Sequence, residues 1–156
     1  MLYKSHKVVG LATAAGLAVT YNYPITIGGF IMVLIGSGLP DIDNSSSKIG
    51  RCVPIISKHI PHRGVTHSIY VIIACLYGIL YTQNNLIIAL SVGVISHILA
   101  DLFSADGLDL FLIKRKIYMP IRYKVGGKLE TILRLIAWLI LFYYTYQLLL
   151  PIIGGI

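Results

Sequence analysis

Charge is what this chain has least of. Of its 156 residues, 12% are Asp, Glu, Lys or Arg, about half the share of an ordinary soluble domain. Three blocks hold none of them: Val8–Pro40, Ser68–Ala100 and Leu135–Ile156. Cysteine is also scarce. Cys52 stands in a polar loop and Cys75 in an apolar run, with no CxxC spacing. That excludes a disulfide framework and gives no thiolate zinc site. What is abundant is hydrocarbon: 56% of residues are hydrophobic and the mean hydropathy is +0.80. The apolar residues come in long runs rather than at a scattered core period, which is the pattern of a membrane protein. The length fits one domain, residues 1–156. Lys4 and Lys7 before the apolar Val8–Val19 have the outline of a signal peptide. The next stretch is again apolar, however, so cleavage would release no soluble protein.

Each of the first two uncharged blocks is too long for one span. A single helix over either would measure about 50 Å, against a hydrocarbon core of about 30 Å. Both are interrupted near the middle, by Tyr21-Asn22-Tyr23-Pro24 and by Thr82-Gln83-Asn84-Asn85. Each block therefore reads as a hairpin of two short helices, and the third as one helix ending near Pro151 and the Gly154-Gly155 tail. The expected fold is all-α: an integral membrane bundle of about five short transmembrane helices, near 6–20, 25–40, 67–82, 85–103 and 130–150. Five spans put the N-terminus, the 41–67 loop and the 102–130 loop on one side. All 13 Lys and Arg fall on that side, counting Arg134 at the start of the last helix, as do all six acidic residues. The excess of Lys and Arg marks it as cytoplasmic, in a multi-pass protein of the cell membrane.

The few polar residues are clustered. Leu39-Pro40-Asp41-Ile42-Asp43, His62-Arg63-Gly64-Val65-Thr66-His67-Ser68 and Ser96-His97-Ile98-Leu99-Ala100-Asp101 each stand at the edge of an uncharged block. The topology brings them to the same membrane face, with His6 at the start of the first helix and Glu130 at the start of the last. The expected metal ligands are His6, Asp41, Asp43, His62, His67, His97 and Asp101. His97 and Asp101 are four apart and share a helix face. Continuing the step gives Ala89-Gly93-His97-Asp101, and likewise His6-Gly10-Ala14-Ala18 and Gly29-Val33-Ser37-Asp41. Small residues on these faces let membrane helices approach closely. His62 and His67 are five apart, so His62 is expected on the loop, with Gly64 making a tight turn before His67. One of the Asp41 and Asp43 carboxylates can bind metal while the other bridges a second ion or orients a histidine. His and Asp without Cys favour zinc, manganese or iron, and the number of ligands leaves room for two or more ions. Taken singly, each residue has a plainer use: His97 as a hydrogen-bonded core histidine, Asp41 and Asp43 as helix stops, Thr66 as a cap. His59 lies on no motif.

These motifs resemble those of the YdjM-like, LexA-regulated inner-membrane metal-dependent hydrolases. The resemblance rests on Gly38 to Asp43, His62 to Ser68, Ser96 to Asp101, and Gly126-Gly127-Lys128-Leu129-Glu130, with His6 matching a histidine near the family's start. It covers nearly the whole chain in order, and implies a metal-dependent hydrolase whose substrate is inferred rather than established. A more distant likeness is to the zinc-dependent phospholipase C and single-strand nuclease enzymes. The chain departs from that group in showing no N-terminal ligand of their kind.

The expected function is hydrolysis of a phosphoester in a lipid head group by a metal-activated water. Arg63 is expected to grip a non-bridging oxygen, and Glu130 to serve as general base or further ligand. The substrate would be an anionic membrane phospholipid, drawn by Lys114, Arg115, Lys116, Arg122, Lys124 and Lys128. Ordinary positive-inside charge is the better explanation of that loop. The alternatives are a metal-ion transporter or sensor, which needs polar groups across the membrane, and a membrane-anchored regulator or nucleic-acid-binding protein. Nucleic acid is not the favoured partner, because the basic loop lacks interleaved aromatics apart from Tyr118 and Tyr123.

Overall fold

Local signals at the turns set where the helices begin. The computed structural model of the protein describes residues 1–24 and 26–153. Thr26 accepts a hydrogen bond from Gly29 N and starts a helix at Ile27. The Asn84 side chain accepts from Leu86 N and Ile87 N and starts another at Asn85. Such caps satisfy backbone donors that have no partner within the helix. Seven α-helices result: α1 (Tyr3–Thr20), α2 (Ile27–Gly36), α3 (Lys48–Cys52), α4 (Pro54–His59), α5 (Ile69–Tyr81), α6 (Asn85–Leu102) and α7 (Lys128–Ile153). Two 3-10 turns, Leu39–Asp43 and Val65–His67, lie between them. Among the described residues there is no strand, only two isolated bridges, Ser104 with Tyr123 and Leu108 with Ile117.

The five apolar helices expected from sequence are all present as helices, with most ends shifted by one to four residues. The second stops at Gly36 rather than near residue 40. Pro40 cannot donate to Gly36 and disfavours helix at Leu39, so the chain tightens into the 3-10 turn that carries Asp41 and Asp43. The third starts at Ile69 rather than 67, because Ser68 is extended (φ −84°, ψ 163°). The last runs through Pro151 to Ile153. Pro151 lies in its final turn, where one missing backbone donor interrupts little. The Gly154-Gly155 tail lies outside the described residues. The short α3 and α4 inside the 41–67 loop were not expected from the sequence.

Helix α6 is the hub, packed against α1, α2 and α5, while α7 packs along α1. The small faces are what make this possible. A Cβ on Gly93 would stand 2.5 Å from Val33 O and 2.8 Å from Ser37 N. One on Gly36 would stand 2.2 Å from Leu90 O. Backbone therefore meets backbone where α2 crosses α6. Outward faces are apolar: Tyr70, Tyr77 and Leu80 on α5, and Leu135, Leu139, Phe142 and Tyr146 on α7, are all more than half exposed. An apolar surface of that extent is unusual for a soluble monomer and suits a lipid environment. Two helices, Asn85–Leu102 and the Lys128–Pro151 stretch of α7, are long and apolar enough to cross a membrane. Helix α2, at 10 residues, reaches only about 15 Å.

Candidate metal centre

The turn at Pro40, the end of α6 and the start of α1 converge. His6, Asp43, His67, His97 and Asp101 are buried almost completely, Asp41 is mostly buried, and His62 is at the surface. Their ligand atoms fall into three overlapping groups: His6, His97 and Asp101; Asp41, His67 and His97; and Asp41, Asp43 and His62. Within each group the atoms lie within 4.8 Å of one another. All seven residues expected to ligate metal are thus brought together, with His97 and Asp41 each common to two groups.

Hydrogen bonds fix which imidazole nitrogens point inward. His97 Nδ1 is 2.8 Å from the Ser37 carbonyl, so it must be the protonated nitrogen, and Nε2 keeps its lone pair. His67 Nδ1 is 2.9 Å from Thr66 Oγ1 and 3.4 Å from Asp43 Oδ2. Thr66 spends its own proton on Asp43 Oδ2, so His67 Nδ1 also carries a proton. With both rings neutral, the two Nε2 atoms face each other at 3.2 Å as acceptors. Two lone pairs at that distance repel unless a cation lies against both. Two nitrogens bound tetrahedrally at about 2.05 Å stand about 3.3 Å apart, which is the separation found. His6 adds to the case. Its ring stacks on His97 at 3.7 Å between centroids, its Nε2 is 3.2 Å from Asp101 Oδ1, and its Nδ1 has no hydrogen-bond partner. Buried polar atoms without partners are costly. A divalent ion held by nitrogen and carboxylate oxygen fits these residues, and the absence of sulfur suits zinc, manganese or iron.

The two aspartates of the 3-10 turn divide the work. Asp43 accepts from His62 Nδ1 at 2.8 Å, from Arg63 N at 3.0 Å and from Thr66 Oγ1. Burial would raise its pKa, but the bonds from His62, His67 and Thr66 outweigh burial and hold the carboxyl well below the usual range. Asp43 is thus the residue that orients histidines. Asp41 sits 3.7 Å from His97 Nε2. Its pKa is raised, chiefly by burial, although His6 pulls the other way; a nearby cation is what such a carboxylate lacks.

Four further residues singled out in the sequence have defined places. Glu130 belongs to none of the ligand groups. Its oxygens accept from Leu2 N at 2.6 Å and Gly126 N at 2.7 Å, so it ties the chain start to the α7 entry. Arg63 does not present a free guanidinium. It pairs with Asp101 Oδ2 at 3.0 Å and Asp106 Oδ2 at 2.9 Å. The tight turn expected at Gly64 is present: Gly64 N donates to Pro61 O at 3.1 Å, and a Cβ on Gly64 would stand 2.9 Å from that oxygen; Arg63 beside it takes φ +63°, with its N donating to Asp43. Tyr123 cannot stack on a base, because it is buried with its hydroxyl donating to Ala100 O at 2.6 Å. Burial, with the charges of Asp101 and Glu130, also pushes that hydroxyl's pKa well up. Sequence reasoning took Thr66 for a cap and gave no role to Ser37 or Asp106. Ser37 acts through its carbonyl, which no residue type announces.

A cleft of about 530 Å³ opens onto the cluster, lined in part by Asp41, His62, Arg63, Asp101 and Lys116. The other five basic residues of the 114–128 segment do not line it and are exposed, as ordinary surface charge would be. The amino group of Met1 also borders the cleft, 2.5 Å from Asp101 Oδ1.

Comparison with known proteins agrees with the motifs. A family described as YdjM inner membrane protein matches residues 1–152. The uncharacterized protein YvsG of Bacillus subtilis (strain 168) is 28% identical over 156 residues, covering 95% of this chain and 96% of its own. No solved structure matches at a significant level. With the match spanning nearly the whole chain, this protein belongs to the YdjM inner membrane protein family.

Proposed function

We propose that this protein is a membrane-embedded, metal-dependent hydrolase acting on a phosphoester of an anionic lipid head group. The reading is carried by the two unprotonated Nε2 atoms of His67 and His97, 3.2 Å apart in a buried site. That pair calls for a cation, and a cleft of pocket size adjoins it. His6, Asp41, His67, His97 and Asp101 would hold the ions, with Asp43 and His62 completing the set. Three overlapping groups suit two or more ions, zinc or manganese. Such ions supply a Lewis acid for phosphoryl oxygens and a water acidic enough to attack near neutral pH.

The protein's own residues do the rest. The Ser37 carbonyl and Asp43 fix the tautomers of His97 and His67, which keeps the ligand set rigid. Burial of the cluster restricts water to the open cleft. Arg63 keeps one arm on Asp101 and the other on exposed Asp106. The Asp106 arm is the one a phosphate oxygen would replace, since an exposed ion pair is worth about 1 kcal/mol or less. Lys116 adds positive charge at the rim. We place the N-terminus and this cleft on the cytoplasmic side of a five-helix multi-pass protein, following the Lys and Arg distribution.

Ion transport is the less favoured reading. A second cavity of about 480 Å³ lies among α1, α2 and α6 near Tyr21 and Thr26, lined by residues such as Ala14, Val33, Ala89 and Val92. It offers a cation no charged ligand. The test is elemental analysis of purified protein with a screen of lipid phosphoesters, on wild type, His67→Ala and Asp101→Ala. Bound metal and hydrolysis should both fall in the variants while expression holds. Full activity in both would refute the proposal.

A further inference from the structure

We propose that the groove between α1, α6 and α7 seats one acyl chain of the lipid whose phosphate head lies in the metal-lined cleft. This rests on the lipid phosphoesterase reading and specifies how that substrate is held. The groove has a volume of about 650 Å³ and is lined by residues including Val9, Thr13, Leu99, Leu133, Ile136 and Ala137.

Three observations select a hydrocarbon chain as its occupant. The first is continuity: Met1 lines both the groove and the polar cleft. At the end of α6, Asp101 faces the cleft while Ala100 and Phe103 face the groove. One molecule with a charged end and an apolar end can occupy both. The second is chemistry. The groove's hydroxyls are turned onto backbone: Thr13 donates to Val9 O at 2.9 Å, Ser96 to Gly93 O at 2.8 Å and Tyr123 to Ala100 O at 2.6 Å. A sugar or peptide would find few partners there, and an alkyl chain needs none. The third is length. On α1 the groove runs past Val9, Thr13 and Leu17, about 12 Å at 1.5 Å per residue, most of the roughly 15 Å that one leaflet contributes to the hydrocarbon core. That suits a full acyl chain rather than a short alkyl group.

The experiment uses the full chain, zinc-loaded, in nanodiscs of phosphatidylcholine. A phosphatidic acid with a diazirine on one acyl chain is photolysed, and labelled peptides are mapped. A diacylglycerol with the same photoreactive chain serves as the headless comparison. We expect phosphatidic acid to label Val9, Thr13, Leu133 and Ile136 at least tenfold more than the outer faces of α5 and α7. We expect diacylglycerol to lose that preference. Leu133→Trp, which fills the groove at an exposed position, should abolish groove labelling and leave zinc content unchanged. Labelling spread evenly over the apolar surface, or equal for the two probes, overturns the proposal. Selective labelling without hydrolysis of any phosphoester would sink the hydrolase reading alone. Hydrolysis with even labelling would sink the acyl-groove assignment alone.

Discussion

Gly93→Ala is the single substitution that tests the link between packing and the proposed metal centre. The added methyl would stand 2.5 Å from Val33 O and 2.8 Å from Ser37 N. Both are backbone atoms, so no side-chain rotation relieves the contact; α2 has to move away from α6 by roughly an ångström to reach ordinary contact distance. Overpacking of this kind costs about 1–3 kcal/mol. For a chain of this length, each 1 kcal/mol lowers Tm by about 2–4 °C, so a drop between about 2 and 12 °C is expected. The movement also carries away the Ser37 carbonyl that fixes His97 Nδ1 at 2.8 Å. Losing such an outer partner weakens metal binding by about 10–100-fold. The assay is thermal unfolding of the detergent-solubilised protein with and without zinc, together with a zinc titration. Gly28→Ala is the control: its nearest neighbour is the flexible Leu86 Cδ2 at 3.2 Å, and Ala favours helix over Gly by about 1 kcal/mol. It should match or exceed wild type in Tm and bind zinc normally. If Gly93→Ala behaves like that control, the account of the α2–α6 crossing is wrong.

Three further outcomes are expected. Asp43→Asn should weaken zinc binding by about 10–100-fold in calorimetry, since it removes the charge that orients His62, Thr66 and His67; unchanged affinity would remove Asp43 from the centre. Glu130→Ala should cost about 1–3 kcal/mol of stability by leaving Leu2 N and Gly126 N without acceptors, yet leave the zinc content of the folded protein unchanged, and a lost ion would restore Glu130 as a ligand. In a background lacking Cys52 and Cys75, cysteines placed at exposed Tyr21 and Lys124 should react with an impermeant thiol reagent from opposite sides of the membrane; labelling from one side would refute the five-span topology.

The sequence by itself determined the helical class and the approximate position of each apolar helix. Long uncharged runs leave few other solutions, because a backbone in hydrocarbon must satisfy its own hydrogen bonds. It also determined the candidate ligands. His and Asp side chains are scarce in such a chain, and their spacing, four apart in His97 and Asp101, fixes a shared face. The faces of small residues were legible for the same reason, and His6-Gly10-Ala14-Ala18 and Ala89-Gly93-His97-Asp101 are indeed buried.

What only the tertiary structure decided is how those side chains are used. Glu130 stands at a helix start like the other motif residues, but its oxygens are taken by backbone donors, Leu2 N from the far end of the chain and Gly126 N from just before its own helix. Arg63 sits between two metal-capable histidines, yet folding places Asp101 and Asp106 against its guanidinium. Sequence spacing reports a face along one helix and is silent on what a neighbouring helix presents there. The tautomers of His67 and His97 depend on the Ser37 carbonyl and, through Thr66, on the Asp43 carboxylate, both delivered by other segments. Such partners come from packing, and residue type alone does not encode them.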